Sequence, residues 1–466
     1  MSYNFNNPAS AGHALRRALF NPHAFLCWAI LCLGLHGPFA NAQSSKAGDA
    51  PATIELRHLV ATNPEIKQLI IASIERAKRV NPDPLTNPVQ TLEQYLQFIS
   101  WVERGLPASL IEPKPHATLY QRIDQSLCYL FFISDQPLQQ LEGRGYFNNS
   151  LQYVEPYTTW FKSFVRSWGA FLDSPASWNA ESLRLALADP VFGLNRGWYE
   201  DPSHWTTFNQ FFVRRLKSAD QRPIAAPEDG AVIVSPVDAI PEGAWTIDTN
   251  SHVIEKSGVP VKSATVQSVD DLLGARSHYR GAFAGGSFTH LFLDVGDYHR
   301  YHFPLGGVVK EVAIIPGQEL SGGYVTWDPV NKRYAFDPSS IGWQSLETRG
   351  CVILQTPEFG LVALLPIGMS PVSSVNFDPG VKEGARIRKG DSMGHFLFGG
   401  SDFVLLFQAG YELTLDSPRD AHHGFSHLLM GERLGHLRRT SAAASNAAPS
   451  PQAAAKDNHS PGMAGL

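Results

Sequence analysis

The chain is poor in charge and in cysteine. Acidic and basic side chains make up 17% of its 466 residues and leave a net −5, against roughly a quarter in an ordinary soluble domain. With 43% apolar and 11% aromatic residues, that low charge excludes a chain that stays unfolded for want of surface to bury. A mildly acidic balance without any long basic tract excludes a nucleic-acid binder that works by neutralising phosphates. Four cysteines are too few for a disulfide-built scaffold of this size. No apolar run reaches the roughly 20 residues that a membrane-spanning helix needs. Glycine and proline, at 39 and 33, are plentiful and predict many turns between strands. The length exceeds what one hydrophobic core serves, so two domains are expected.

A 12-residue apolar run at 24–35 follows Arg16 and Arg17 and precedes Ala40-Asn41-Ala42. A basic start, a short apolar stretch and an A-x-A site predict a signal peptide over residues 1–42, and export to the periplasm or out of the cell. The run is short for an uncleaved anchor. Cleavage would remove Cys27, Cys32 and two arginines, leaving Cys128 and Cys351 and a net charge of −7. In an oxidising compartment these two cysteines either pair or stay buried as thiols; burial is the expectation.

Residues 43–200 read as a helical domain. Val154, Tyr157, Trp160, Phe161, Phe164, Val165, Trp168, Phe171 and Leu172 recur at helical spacing. Less regular patterns cover 65–80, 91–103 and 119–133, with prolines 82, 84, 88, 107 and 113 as breaks. From about Phe208 the texture changes to short apolar runs at 231–234, 288–295, 308–315, 351–356, 361–367, 372–377 and 403–408. Runs of that length between turn residues predict strands, and 381–398 adds two glycine-centred turns. The fold class is therefore α+β: an N-terminal helical domain, then a β-rich domain of antiparallel or mixed sheet over 205–437. The tail at 440–466 has no apolar anchors and is expected to be disordered.

Four segments of the second domain concentrate reactive side chains. TFNQFFVRRLKSADQRPI (207–224) sets aromatics beside arginines, and SPVDA (235–239) places Asp238 after a strand and a turn. GDYHRYHFPLGG (296–307) holds His299 and His302 three residues apart. By itself such a pair is as often structural as catalytic, and without H-E-x-x-H spacing or further ligands it argues against a metal hydrolase. FGGSD (398–402) puts two glycines before Ser401, which frees the backbone in front of a hydroxyl.

In this order and spacing, FNQFFVRRLK, RPI, SPVDA, DYHRYHFPLGG, EFGLVALLPIG and KGDSMGHFLFGGS resemble the phosphatidylserine decarboxylase family of pyruvoyl enzymes over about 207–435. WGAFLDSPAS at 168–177 looks like the helical domain of a subgroup that includes tryptophan decarboxylase-like members. The resemblance implies that the chain cuts itself between Gly400 and Ser401, with Ser401 as nucleophile, His302 as its base and Asp238 as the partner of that base. His299 would assist decarboxylation. The cofactor would be a pyruvoyl group derived from Ser401, with no external cofactor or metal, and the resulting β and α chains would stay together. Phosphatidylserine is the default substrate it implies, and a free aromatic amino acid such as tryptophan the alternative; a phospholipid would call for peripheral membrane contact, for which LCYLFFI (127–133) is a candidate. A binding module that keeps the fold without activity is the rival class. Three positions depart from the family pattern: Asp402 in place of a small hydroxyl residue, Ala239 in place of glycine, and LETRG at 346–350, a loose fit to an Asn/Arg segment.

Overall fold

The computed structural model describes residues 48–254, 268–318, 323–337, 343–371, 374–416, 419–420 and 424–440. The expected leader lies outside these residues, as does the tail beyond Thr440. Eight α-helices are present among the described residues: α1 (Pro51–Thr62), α2 (Pro64–Val80), α3 (Leu92–Val102), α4 (Leu119–Ser134), α5 (Tyr157–Leu172), α6 (Ala180–Ala188), α7 (Phe208–Phe212) and α8 (Val269–Leu273). Their starts are written locally. The Asn63 side chain accepts the Ile66 amide with Pro64 at the first helical position, and Thr118 and Gln121 form a reciprocal capping box before α4. The apolar spacing of α5 extends back to Val154, but Pro156 stands at the N-cap and the helix begins at Tyr157.

The strands are β1 (Val232–Val234), β2 (Ile240–Ile247), β3 (Val253–Ile254), β4 (Ser287–Leu293), β5 (Arg300–His302), β6 (Gly307–Ile315), β7 (Tyr324–Asp328), β8 (Arg333–Asp337), β9 (Thr348–Gln355), β10 (Leu361–Pro371), β11 (Asn376–Phe377), β12 (Arg386–Ile387), β13 (Ser392–His395), β14 (Gly399–Phe407), β15 (Tyr411–Leu415), β16 (Arg419–Asp420), β17 (Gly424–Phe425) and β18 (Arg433–Arg439). An eight-stranded sheet runs β12-β6-β9-β10-β14-β4-β2-β3, and smaller sheets run β1-β18-β15 and β11-β13-β5. Each pairing between described strands is antiparallel. This is an α+β fold, helices first and antiparallel sheet after.

Alternation along β14 sorts its side chains between two cores. Phe403, Leu405 and Phe407 face the core shared with Tyr301, Phe303, Met393 and Phe396, next to the small sheets. Val404 and Leu406 face the opposite core, with Leu272, Leu273 and Trp343. A third core belongs mainly to the helices but also takes in Val295, Tyr298, Val325, Tyr334 and Phe398. The helical region thus closes over the end of the large sheet where β14 begins. Cys128 and Cys351 are both free thiols and buried. LCYLFFI is buried throughout, so it offers no face to a membrane. No helix among the described residues is long and apolar enough to cross one.

Candidate active site

Ser401 lies in β14, opposite Leu293 of β4 on one side and Gly368 of β10 on the other. The β10 register slips there: Gly368 pairs with Ser401 but Pro371 pairs with Gly399, so two residues face Gly400 alone. Such a bulge interrupts the ladder at the peptide in front of the serine. A side chain at Gly400 would press on Met369 at 3.2–3.3 Å. The Ser401 side chain is fully buried and its Oγ has no hydrogen-bond partner. An unsatisfied buried hydroxyl calls for an explanation, and readiness to react is one.

Both histidines come from the turn and strand that follow β4. His299 Nδ1 stands 2.9 Å from the Asp297 carbonyl. A carbonyl only accepts, so Nδ1 carries the proton and Nε2 keeps a lone pair. That Nε2 is buried without a partner. The ring packs on Phe212 of α7 at 3.8 Å between centroids. Burial, and then the nearby Arg214, push His299 down to about 3, so it is a neutral base at ordinary pH. Phe212 also packs on Phe398, and the Phe396 amide donates to the His299 carbonyl. These contacts tie His299 to the segment entering Ser401.

His302 likewise turns Nδ1 to a carbonyl, that of Gly390, at 3.0 Å, and Nε2 lies 3.3 Å from the Tyr298 hydroxyl. Burial lowers its pKa. Its backbone amide donates to Pro236, in the turn that carries Asp238. Asp238 itself is buried, but its carboxylate takes Arg222 Nη2 at 2.8 Å and the Met430 amide at 2.7 Å. Asp238 and His302 are thus joined through the Pro236 carbonyl, and no hydrogen bond links Asp238, His302 and Ser401 to one another. Among the described residues no group of three or more His, Cys, Asp or Glu side chains is placed to hold a metal ion.

The three departures from pattern have physical explanations. Asp402 points to the face opposite Ser401 and pairs with His290 at 3.0 Å. Ala239 is not among the residues with positive φ, so glycine is not required there. Arg349 is buried and donates to the carbonyls of Asp271, Leu272, Ser345 and Glu347, bracing α8 rather than reaching the site.

Several residues escaped the sequence reading. His427 pairs with Asp297 at 2.8 Å, and although burial opposes its charge, the carboxylate wins and lifts it to about 9. Asp297 also accepts the Asp294 amide, so this pair braces the turn that carries His299. A pocket of about 250 Å³ has Gly400 and Met369 on its wall, with Tyr120, Asp124, Leu127 and Phe131 of α4, Asp294, and Arg333 and Phe336 of the β7–β8 hairpin. The Tyr120 hydroxyl donates to Asp294 at 2.6 Å. Burial, with Asp294 nearby, lifts Asp124 to about 6. No motif marks these residues, because they converge only when α4 and the hairpin dock on the sheet.

Residues 208–436 match the sequence model of a family described as phosphatidylserine decarboxylase. The chain is 32% identical over 239 residues to phosphatidylserine decarboxylase proenzyme 2 of rice, covering 51% of this chain and 35% of that one. It is 32% identical over 227 residues to the phosphatidylserine decarboxylase proenzyme of Bordetella pertussis, covering 47% of this chain and 72% of the other. Decarboxylase iboD of Amanita muscaria is 25% identical over 314 residues, 61% of this chain and 85% of that protein. The match thus spans about a third of the rice protein and most of the two others.

Proposed function

The chain belongs to the phosphatidylserine decarboxylase family, and we propose that it is a self-processing decarboxylase whose reactive group is a pyruvoyl made from Ser401. The observation that carries this is the Ser401 hydroxyl, buried and unpartnered behind two glycines at a bulge. Ser401 Oγ attacks the Gly400 carbonyl, and the amide becomes an ester. Loss of the Ser401 α-proton expels the Gly400 carboxylate, and hydrolysis of the resulting dehydroalanine releases ammonia. A serine hydroxyl needs a base for the first step. His302, the base expected from the family, has its Nε2 lone pair facing the Tyr298 hydroxyl and would have to leave that hydroxyl to serve Ser401.

Once formed, the pyruvoyl carbonyl supplies an electron sink for a substrate amine as carbon dioxide leaves. The residues around it fit that use. His299, held neutral against Phe212, keeps a buried lone pair near the chain entering residue 401 and can hold or move a proton there. Asp294 follows Leu293, the partner of Ser401, and lines the pocket with its Tyr120 hydrogen bond.

Two substrates carry the α-amino carboxylate such a site would take: the serine headgroup of phosphatidylserine and a free amino acid. The names of the relatives favour the first. The lining of the pocket beside Gly400, contributed by α4 and the β7–β8 hairpin, favours the second. Apolar walls at Leu127, Phe131 and Phe336 suit an aromatic side chain. The export expected from residues 1–42 would agree with a soluble substrate met outside the cytoplasm. The test offers the purified protein phosphatidylserine in vesicles and free tryptophan and measures the amine products. Tryptamine without phosphatidylethanolamine is expected; phosphatidylethanolamine alone would restore the lipid, and activity on neither would contradict both assignments.

A further inference from the structure

Asp402 becomes the second residue of the α chain once the Gly400–Ser401 bond breaks. Its side chain crosses to the face of the sheet away from Ser401, where it and His290 are both completely buried. His290 Nδ1 stands 3.0 Å from Asp402 Oδ2, Gln344 Nε2 lies 3.4 Å from the same oxygen, and Asp402 Oδ1 accepts the Phe403 amide at 2.9 Å. His290 comes from β4, the strand hydrogen-bonded to β14, and its partner in the ladder is Val404. Trp245 of β2 stacks on the imidazole at 5.4 Å between centroids. His290 Nε2 is buried with no partner. The other charged group felt by the imidazole is Glu242, also on β2, and Asp337 of β8 acts in turn on Glu242.

We propose that His290 is a positioning residue for self-cleavage: by neutralising Asp402 it removes a bare negative charge beside the peptide where an oxyanion must form, and it pins β14 in register behind Ser401. The proposal presupposes the self-cleavage described above. Attack on the Gly400 carbonyl puts negative charge on that oxygen, and a buried carboxylate on the next residue opposes it. An imidazolium bound to the carboxylate cancels most of that field. Geometry also favours the charged pair: the protonated ring donates to Asp402 from Nδ1, and burial, which works against the charge, is outweighed by the Asp402 carboxylate, so that the pKa of His290 is raised.

The consequence is asymmetric, as expected when one partner of a buried pair is removed. His290→Gln removes the countercharge of Asp402 and leaves its carboxyl only the Gln344 amide and the Phe403 N–H, and self-cleavage should slow by roughly tenfold or more. Asp402→Asn leaves a histidine that simply loses its proton, so its effect should be smaller. The double variant His290→Gln/Asp402→Asn should recover most of the rate lost in His290→Gln alone, a coupling that plain loss of packing does not produce. The readout is the time course of fragment appearance on denaturing gels, followed from the freshly purified precursor, with the thermal midpoint of each variant as a fold check. In the wild type the rate should also fall as pH rises through the titration of His290, and that fall should vanish in the double variant. Wild-type cleavage with His290→Gln cleaving equally fast, or a double variant no faster than His290→Gln, overturns the role given to His290. A wild type that never cleaves overturns the self-processing itself, a distinct outcome.

Discussion

His299 illustrates how far a single residue can be taken. The H-x-x-H spacing marked it, yet spacing did not reveal that its ring would be sealed against Phe212 with one nitrogen committed to the Asp297 carbonyl. That burial has a thermodynamic signature. An unfolded histidine titrates near 6.5, whereas His299 in the folded chain is pushed down to about 3. Between these values the unfolded state binds the extra proton, so stability is full above about 6.5 and drains away as pH falls. His299→Gln removes the linkage, so the loss of stability between about pH 6.5 and 4 should be smaller in the variant, by on the order of a few kcal/mol. Chemical denaturation across that range checks it; parallel curves for both proteins would contradict the buried neutral ring. Asp238 shows the opposite limit of the sequence. It stands where the SPVDA motif puts it, but its salt bridge with Arg222 depended on a fold that motif reading does not supply.

At the scale of elements, periodicity was a good guide wherever one face is buried and the other wet. The patterns at 65–80, 91–103 and 119–133 became α2, α3 and α4 within a few residues, and the apolar runs at 288–295, 308–315, 361–367 and 403–408 fall within β4, β6, β10 and β14, give or take two residues. What stayed hidden has a physical reason. Strand β2 contains Pro241, Glu242 and Gly243 and a register slip, so it shows no apolar run. The hairpin β7–β8 is polar on one side and is fixed by long-range contacts, such as the Asn81 amide on the Tyr334 hydroxyl. Helix α5 matters to the site through Trp168, fully buried, with its indole N–H on the Gly105 carbonyl at 2.9 Å and its ring against Phe398. Trp168→Ala should cost about 3–5 kcal/mol of stability, and should also slow self-cleavage, because Phe398 leads into Ser401. A thermal melt and a cleavage time course read the two effects; an unchanged melting point would contradict the packing role.

Across the whole molecule, the decisive fact is that three cores meet where β14 begins. The helical region forms one wall of the pocket, the hairpin another, and Gly400 and Met369 a third. Strand β14 is held on both sides, by β10 and β4, so breaking the chain in front of Ser401 leaves the new terminus bonded within the sheet. The expected association of the two fragments follows from that ladder. The most direct measurement is the intact mass of the purified protein under native and denaturing conditions. Under denaturing conditions we expect a fragment ending at Gly400 and a 66-residue partner whose first residue has lost its amine and carries a ketone, the two travelling as one species under native conditions. A single uncut chain with Ser401 unchanged would contradict the account.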